Sequence, residues 1–461
     1  MIVSRWICGL CLAISAVWGA AAAAQGASAV LFHNVNVVGM QQEGVQKAQD
    51  VLVRDGRIQR IGPTGAGGNV DRDTIIVEGN GRYLMPGLSE MHAHLPGPGP
   101  QQAQNTQDLL LLYLAHGVTT IRGMLGNPSH LQLREQLEKH EVLGPRLFTA
   151  GPSFNGQSTP DIESARSRVR EQAAAGYDFL KLHPGLKRDV FDAIVAEARK
   201  ANISFQGHVS EDVGVPHALQ ARQKAIDHLD GYVQALVAPG CLKGPTAPGA
   251  FGIGVVHCVD DKRIADIVRQ TKAAGTAMVP TAILLHQWVR QPPKEELLAR
   301  PAARYMPRRV LEGWYDQVRN FIGGQAVPQE RADRYIGVIR SLLREMHAQA
   351  VPILLGSDAP QVFNIPGDSA LSELALYAET GIPPFDALRT ATAAPAEFLG
   401  AADRFGTVRE GLEADLILIE ENPLQDVRAV RKLAGVMARG RWVSREELDK
   451  RLNELAARVS R

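Results

Sequence analysis

Eight short apolar runs, each separated from the next by a stretch of helical periodicity, constrain the fold of this chain most strongly. The runs are LMPGLSEMHAH, GVTTIRG, RLFTAG, DFLKLH, ISFQGH, KAIDHLD, TAMVPTAIL and VPILLGSD. Alternating strands and helices are typical of βα units, and eight parallel strands are enough to close a barrel. We therefore predict an α/β fold with a TIM-like (β/α)8 barrel over residues 85–400.

The two ends of the chain show a different pattern. Residues 25–84 contain short alternating strands joined by turn residues, and Asp55-Gly56 is a strong hairpin signal. Residues 401–461 return to the same style, with ADLILIEEN followed by AVRKLAGVMARGRWVS. Because chain termini often lie close together on a domain surface, we predict that both segments complete one small β-sandwich domain beside the barrel.

Side chains that can bind metal fall at the carboxyl ends of the predicted barrel strands. His92 and His94 end the first strand, and their spacing on an extended backbone places both imidazoles on one face. Later strands end with Lys181, His208, His228 and Asp358. A single buried histidine is more often a hydrogen-bonded core residue, but chance does not place so many such groups at strand ends. Since barrel enzymes carry their chemistry at this face, we predict that these side chains converge on one site.

Two motifs resemble the amidohydrolase superfamily. The run Met85–His94, MPGLSEMHAH, is similar to that family's PGL-[ID]-x-H-x-H opening. The run Gly406–Leu416, GTVREGLEADL, is similar to its G-x-[IV]-x-x-G-x-x-A-D-[LI] segment, and Asn422-Pro423-Leu424 matches the usual sequel. A lysine on the fourth strand with one histidine on each of the next two resembles the prolidase-like, imidazolonepropionase-related branch.

The resemblance implies a centre with two divalent metal ions, for which zinc is expected. His92, His94 and Asp358 would bind one ion, His208 and His228 would bind the other, and a carbamate on Lys181 would bridge them. It also implies a metal-bridging hydroxide that attacks the substrate. Asp358 would be the catalytic residue that carries the proton to the leaving group.

The resemblance further implies hydrolysis of an amide or peptide-type C–N bond in a small-molecule substrate, with dipeptides and N-acyl amino acids as the leading class. Cyclic amides, lactones and organophosphate esters are the first alternative, because the same hydroxide attacks any of these electrophiles. A catalytically silent, metal-containing periplasmic binding protein on the same barrel is the second alternative.

Residues outside the metal set complete the expected site. We predict three further side chains as substrate contacts, namely His183, Tyr232 and His286. Glu90 stands where the family has aspartate, which lengthens the side chain behind the histidines. Arg122, at the end of the second strand, is expected to be a structural ion-pair partner.

Two connections are over-long for a compact domain, residues 233–256 and residues 286–331, and such loops often form lids or substrate walls. Cys241 lies in the first of them and Cys258 follows it. A disulfide between these cysteines is one hypothesis, worth about 3 kcal/mol in the chain-entropy model. Two separate thiols are the other, and the sequence leaves both open.

The N-terminus has the features of a signal peptide. A basic start, MIVSR, is followed by an apolar stretch that is shorter than the roughly 20 residues that span a membrane. An A-x-A cleavage site comes next. We predict a signal peptide over residues 1–24 and a periplasmic or secreted mature protein with no membrane attachment. The formal net charge of +1 gives no basic field for nucleic acid. The sequence is compatible with a homo-oligomer.

Overall fold

The computed structural model describes residues 29–66, 70–242, 248–321 and 326–460. The predicted signal peptide lies outside this part of the chain. In chain order the strands are β1 (Ala29–Val37), β2 (Gln46–Arg54), β3 (Arg57–Pro63), β4 (Ile75–Glu78), β5 (Tyr83–Pro86), β6 (Leu88–Ala93), β7 (Val118–Gly123), β8 (Arg146–Thr149), β9 (Phe179–Leu182), β10 (Ser204–Gly207), β11 (Ala225–Asp227), β12 (Ala277–Val279), β13 (Leu416–Ile419), β14 (Leu433–Ala438) and β15 (Arg441–Ser444).

Helices connect and cover these strands. They are α1 (Gln102–Ala115), α2 (Pro128–Glu138), α3 (Ile162–Ala174), α4 (Arg188–Lys200), α5 (Gly214–Gln220), α6 (Tyr232–Ala235), α7 (Ile264–Ala274), α8 (Ala282–Arg290), α9 (Lys294–Leu298), α10 (Arg308–Phe321), α11 (Gln329–Ala348), α12 (Asp368–Glu379), α13 (Pro384–Thr390), α14 (Ala393–Phe398) and α15 (Arg445–Val459). In α4, Val190, Ile194 and Ala198 recur at helical spacing and are buried, as expected of a helix that packs one face on a core. Within the described residues, none of the helices has the length and apolarity needed to cross a membrane.

Strands from both ends of the chain form one eight-stranded sheet, in the order β15-β14-β13-β5-β1-β2-β3, with β4 paired to β1. The two ends meet where β13 pairs antiparallel with β5, so that Leu416 lies opposite Pro86. The turn predicted at Asp55-Gly56 connects β2 to β3. The terminal segments that were expected to complete a β-sandwich therefore share a single hydrogen-bonded sheet.

The strands between the termini are parallel, with one sheet of β6, β7 and β8 and another in the order β12-β11-β10-β9. Isolated parallel bridges join these sheets to each other and to the segment at residues 353–359: Ala150 with Phe179, Phe154 with Leu182, Met278 with Ile353, and Ala93 with Ala359. The run predicted as the eighth strand, residues 351–358, forms no regular strand within the described chain. Pro352 lies inside this run and Pro360 follows it, and neither has an amide proton to donate to a ladder. The prediction of a continuous closed barrel is therefore met only in its parallel α/β layout.

The cysteines of the long connection before α7 are paired. Cys241 and Cys258 form a disulfide, with their Cα atoms 5.7 Å apart. The same region is held by an antiparallel bridge between Val237 and Val259 and by the amide of Ala238, which donates to the Cys258 carbonyl at 2.9 Å. Of the two hypotheses that the sequence left open, the structure contains the disulfide.

Candidate metal centre

The first part of the site joins β6 to the segment that carries Asp358. The Asp358 amide donates to the His92 carbonyl at 3.0 Å, and the His94 amide donates to the Ala359 carbonyl at 2.8 Å. These backbone bonds bring the side chains together, because Asp358 Oδ1 lies 3.4 Å from His92 Nε2 and 2.6 Å from His94 Nε2. Two imidazoles and one carboxylate therefore face a common point.

His228, which follows β11, completes this group. Its Nδ1 is hydrogen-bonded to Thr281 Oγ1 at 2.8 Å and lies 3.7 Å from Asp358 Oδ2. His92, His228 and Asp358 are buried, and each offers a ligand atom within 4.8 Å of the others. His92 Nδ1 lies 3.3 Å from Asp227 Oδ2, which leaves its Nε2 facing Asp358.

The protonation states of this group suit a divalent metal. Burial lowers the pKa of His228 to about 4 and that of His92 well below its ordinary value, so both imidazoles are neutral near pH 7. Burial alone would raise the pKa of Asp358, but the facing histidines, His92 and His94 foremost, hold it below its usual range. Neutral imidazole and ionised carboxylate are the forms that bind zinc and similar ions. The donor set therefore fits a divalent cation.

His208, directly after β10, lies next to this group. Its ring centroid is 4.5 Å from that of His228 and 4.8 Å from that of His183. Its Nδ1 is hydrogen-bonded to Asp230 Oδ2 at 2.5 Å, which leaves Nε2 for another partner. Burial and the nearby Lys181 charge lower the pKa of His208 to about 3. A histidine oriented by a carboxylate on its second nitrogen is the usual arrangement of a metal ligand.

Lys181, on β9, is fully buried. Its Nζ donates to Asp227 Oδ2 at 2.9 Å, and Arg122 NH2 donates to Asp227 Oδ1 at 3.1 Å. Arg122 also donates to the Met91 carbonyl at 2.6 Å and to Gln206 Oε1 at 2.5 Å. Arg122 is thus the structural ion-pair partner that the sequence indicated. Asp227 was not predicted, although it directly precedes His228 in IDHLD.

The backbone around Lys181 depends on one glycine. Gly207 has φ +123, and a Cβ there would lie 2.8 Å from Lys181 Cδ and 2.5 Å from the Leu182 carbonyl oxygen. A larger residue would displace the lysine or the β9 backbone. The close approach of β10 to β9 therefore places His208 beside Lys181.

Glu90 acts on the site through the backbone. Its carboxylate accepts from the His92 amide at 2.9 Å, the Ser357 amide at 2.8 Å and the Ser357 hydroxyl at 2.6 Å. It therefore connects β6 directly to the segment of Asp358, which is a task that the longer glutamate can perform in place of aspartate. Burial raises the pKa of Glu90 to about 8.

The residues predicted as substrate contacts separate into two groups. His183 is in ring contact with His208. Ring contacts join five histidines, which we call the histidine cluster: His92, His94, His183, His208 and His228. Tyr232 is fully buried, and its hydroxyl contacts Thr271 Oγ1 at 2.7 Å, so it points to α7 and not to the cluster. His286 lies on α8 in a buried basic environment, where burial, Arg340 and Arg290 lower its pKa to about 4.

Curated proteins match parts of this chain. The imidazolonepropionase of Stenotrophomonas maltophilia (strain R551-3) is 35% identical over 282 residues, which cover 48% of this chain and 69% of that protein. The adenine deaminase of Paracoccus denitrificans (strain Pd 1222) is 28% identical over 228 residues, which cover 44% of this chain. This chain spans only 37% of that adenine deaminase.

Solved structures share the fold along most of the chain. A Xaa-Pro dipeptidase with bound methionine in the active site has a TM-score of 0.64 at 19% identity, covering 90% of this chain and 100% of that one. A bottromycin amidohydrolase has a TM-score of 0.70 at 22% identity, covering 93% and 90%. These likenesses indicate a TIM-barrel-like α/β fold with a sheet domain. Residues 83–443 match the model described as "Amidohydrolase family", and this protein therefore belongs to the amidohydrolase family.

Proposed function

We propose that this protein is a metal-dependent hydrolase that cleaves an amide or peptide-type C–N bond. The observation that carries the proposal is the buried convergence of His92, His228 and Asp358, whose ligand atoms lie within 4.8 Å of one another. His94 adds a further imidazole on the same carboxylate oxygen. A catalytically silent binding protein on this barrel is expected to have lost the proton-carrying acid or a ligand, so the presence of Asp358 together with the histidines favours an enzyme.

We assign the residues to two divalent ions, with zinc as the proposed metal. His92, His94 and Asp358 would hold one ion, and His208 and His228 would hold the other. A carbamate on Lys181 would bridge them. Two features support this: Lys181 is buried beside the histidines, and Arg122 can balance the charge of Asp227 after Lys181 has lost its own.

The chain's own residues divide the remaining work. When bound, a divalent ion supplies a Lewis acid for the scissile carbonyl and acidifies the attacking water. Asp358 would accept a proton from that water and deliver it to the leaving nitrogen. Its Oδ1 lies 2.6 Å from His94 Nε2 and its Oδ2 lies 3.7 Å from His228 Nδ1, which places it among the proposed ligands. Glu90 connects β6, which carries His92, to the segment that carries Asp358. His183 is positioned to contact the substrate beside His208.

Dipeptides and N-acyl amino acids are the proposed substrates. The structural likeness to a Xaa-Pro dipeptidase and to a bottromycin amidohydrolase supports this choice. The deciding experiment is elemental analysis of the purified protein, followed by turnover on panels of dipeptides, N-acyl amino acids, cyclic amides, lactones and organophosphate esters. We expect chelation to abolish amide hydrolysis and zinc to restore it.

A matched variant pair separates the site from general effects of losing a histidine. His92→Ala should be inactive. His347→Ala should keep full turnover, because His347 on α11 is hydrogen-bonded to Asp386 on α13 and has no role in the proposed site. An active, metal-free protein or a fully active His92→Ala variant would contradict the proposal. Turnover of lactones or phosphate esters alone would move the activity to the alternative class.

We also propose export and a closed barrel. The Cys241–Cys258 disulfide supports a periplasmic or secreted protein, because such bonds persist in oxidising compartments. N-terminal sequencing of the exported protein should begin after the predicted signal peptide at residues 1–24. The bridges that connect β12 through residues 353–359 to β6 support closure of the ring of parallel segments.

A further inference from the structure

A short 3-10 segment, Ala250–Cys258, brings an aromatic ring to the histidine cluster. The ring centroid of Phe251 lies 5.8 Å from that of His228. Phe251 is half-buried, whereas His228 is almost completely buried. The contact lies at a residue that we assign to the metal centre, and the mechanism proposed above gives Phe251 no role.

The backbone at Phe251 is held in an unusual conformation. Its φ is 49° and ψ is 25°, in the left-handed region that costs a non-glycine residue of order 1 kcal/mol or more. The Tyr335 hydroxyl donates to the Phe251 carbonyl at 3.1 Å. At the next position, Gly252, a Cβ would lie 2.7 Å from Val233 Cβ, so the chain passes close to α6. Cys258 ties the end of the segment to Cys241.

Phe251 packs against the main hydrophobic core and against a smaller apolar cluster. The buried members of the smaller cluster come from α8, α10 and the loop after Asp358: Leu284, Trp288, Val318 and Val362. Beside them, the ring of Trp314 on α10 meets that of Phe363 at 5.9 Å. We call Phe251 and the buried members the apolar wall. None of its side chains carries a charge or, apart from the indole of Trp288, a hydrogen-bonding group.

Other neighbours of the histidines are polar. His183 and His208 are in ring contact, and Asp230 is hydrogen-bonded to His208. A substrate bound at the centre would therefore have polar neighbours at His208 and a phenyl ring at Phe251. This difference orients an asymmetric substrate, because apolar groups gain free energy by leaving water.

We infer that Phe251 is a specificity-determining residue, and that the preferred substrate carries an aromatic or branched aliphatic side chain next to the scissile bond. The inference rests on the proposed function, since it names the substrate class of the same site. The constraints at Tyr335, Gly252 and Cys258 explain why the ring stays beside His228. In a hydrophobic pocket, one methylene changes the selectivity between substrates by about 10- to 200-fold. Loss of the Phe251 ring from the apolar wall should therefore change substrate selectivity measurably.

The experiment compares kcat/KM for N-acetyl-amino acids with Phe, Leu, Ala and Gly side chains. We expect the wild type to prefer Phe and Leu over Gly, and Phe251→Ala to reduce that preference by about tenfold or more with little change for Gly. Phe251→Trp should shift the preference toward smaller side chains. Phe385→Ala, at another half-buried phenylalanine on α13, is the matched control and should keep the wild-type preference.

Equilibrium binding of N-acetyl-phenylalanine and N-acetyl-glycine to the metal-loaded protein gives a readout that does not depend on turnover. If no amide is cleaved, the proposed function fails, and the ratio of the two affinities in wild type and Phe251→Ala still decides this inference. Phe251→Leu serves if the alanine variant does not fold. The same side-chain preference in the wild type and the Phe251 variants, in both assays, would overturn the inference.

Discussion

Lys181 Nζ lies 2.9 Å from Asp227 Oδ2 in an ion pair from which solvent is fully excluded. Arg122 NH2 lies 3.1 Å from the other oxygen of Asp227. Asp227 therefore keeps a cationic partner if Lys181 becomes carbamylated. Of the forms that the Lys181 side chain can take, only the carbamate would offer two oxygens to a pair of divalent ions, and its formation requires the free amine. The ion pair between Lys181 and Asp227 is thus the arrangement that carbamylation of Lys181 would replace.

This relationship makes Lys181 the most informative residue to change. Lys181→Ala should lose one metal ion and nearly all turnover, because the bridging anion is gone, and formate or acetate should restore part of the activity. Apoprotein supplied with zinc in CO2-depleted buffer should regain activity slowly, and bicarbonate should speed the recovery. Activity and metal content are the measurements. A crystal structure with two occupied metals and Lys181 still unmodified on Asp227 would refute the bridge.

Asp358 is predicted to move the proton. Asp358→Asn keeps an oxygen that can bind metal but cannot accept a proton, so turnover should fall by about 10²- to 10⁴-fold while metal content changes little. Single-turnover kinetics on metal-loaded protein measure this directly. Near-normal turnover of the loaded variant would reduce Asp358 to a ligand.

The metal content tests the assignment of the histidines. The exported protein should contain about two divalent ions per chain, because the proposed ligands exceed what one tetrahedral ion accepts. His208→Ala should lower the content to about one ion and abolish most activity. Elemental analysis of both proteins checks this, with His347→Ala as the control. A wild-type content near one, together with a fully active His208→Ala, would leave the second ion without support.

The sequence predicted those site residues that sit at strand ends. His92, His94, His228 and Asp358 could be found because parallel strands end on one face and the periodicity marks where each strand stops. The roles of Asp227 and Asp230 were not predicted, because a carboxylate beside a histidine has no periodic signal in the sequence. Their partners, Lys181 and His208, are determined by packing between strands. The signal was nevertheless present, since both acids flank His228 in IDHLD.

Closeness in sequence was a poorer guide to orientation. Tyr232 is only four residues after His228. Its hydroxyl is nevertheless hydrogen-bonded to Thr271 on α7, because Tyr232 is the first residue of the helix α6. Phe251, by contrast, is distant in sequence and reaches His228 through a left-handed backbone that no periodicity predicts. The predicted eighth strand is reduced to isolated bridges, between Met278 and Ile353 and between Ala93 and Ala359, which the apolar run could not indicate.

The disulfide should contribute to stability and to the shape of the site. The bond between Cys241 and Cys258 closes a loop with a sequence separation of 17, for which the chain-entropy model gives about 3 kcal/mol. Cys241→Ser/Cys258→Ser should therefore unfold at a lower temperature than the oxidised protein, and reducing agent should lower the Tm of the wild type alone. An unchanged Tm after complete reduction, verified by thiol titration, would show that the bond is not a stabilising one.

Glu373 is a fully buried carboxyl group close enough to Glu90 to interact with it electrostatically. Glu373 on α12 accepts from the amides of Ala282 at 2.8 Å and Ile283 at 2.6 Å, at the start of α8. Burial raises its pKa from 4.5 to about 7, with these bonds opposing the shift. Between those two values the native state holds a proton that the unfolded state has released. The contribution of Glu373 to stability is therefore complete below about pH 4.5 and is lost as the pH rises toward 7, by an amount on the order of 3 kcal/mol.

Glu373→Gln removes this titration. The Tm of the variant minus that of the wild type should rise as the pH increases from about 5 to about 8, whatever its starting value, because only the wild type has to ionise or retain a buried acid. Thermal unfolding at several pH values measures the difference. Glu379→Gln, at an exposed glutamate on the same helix, is the control for removing a carboxylate. A flat difference for Glu373→Gln would mean that Glu373 is ionised in the native protein, with the α8 amides outweighing burial.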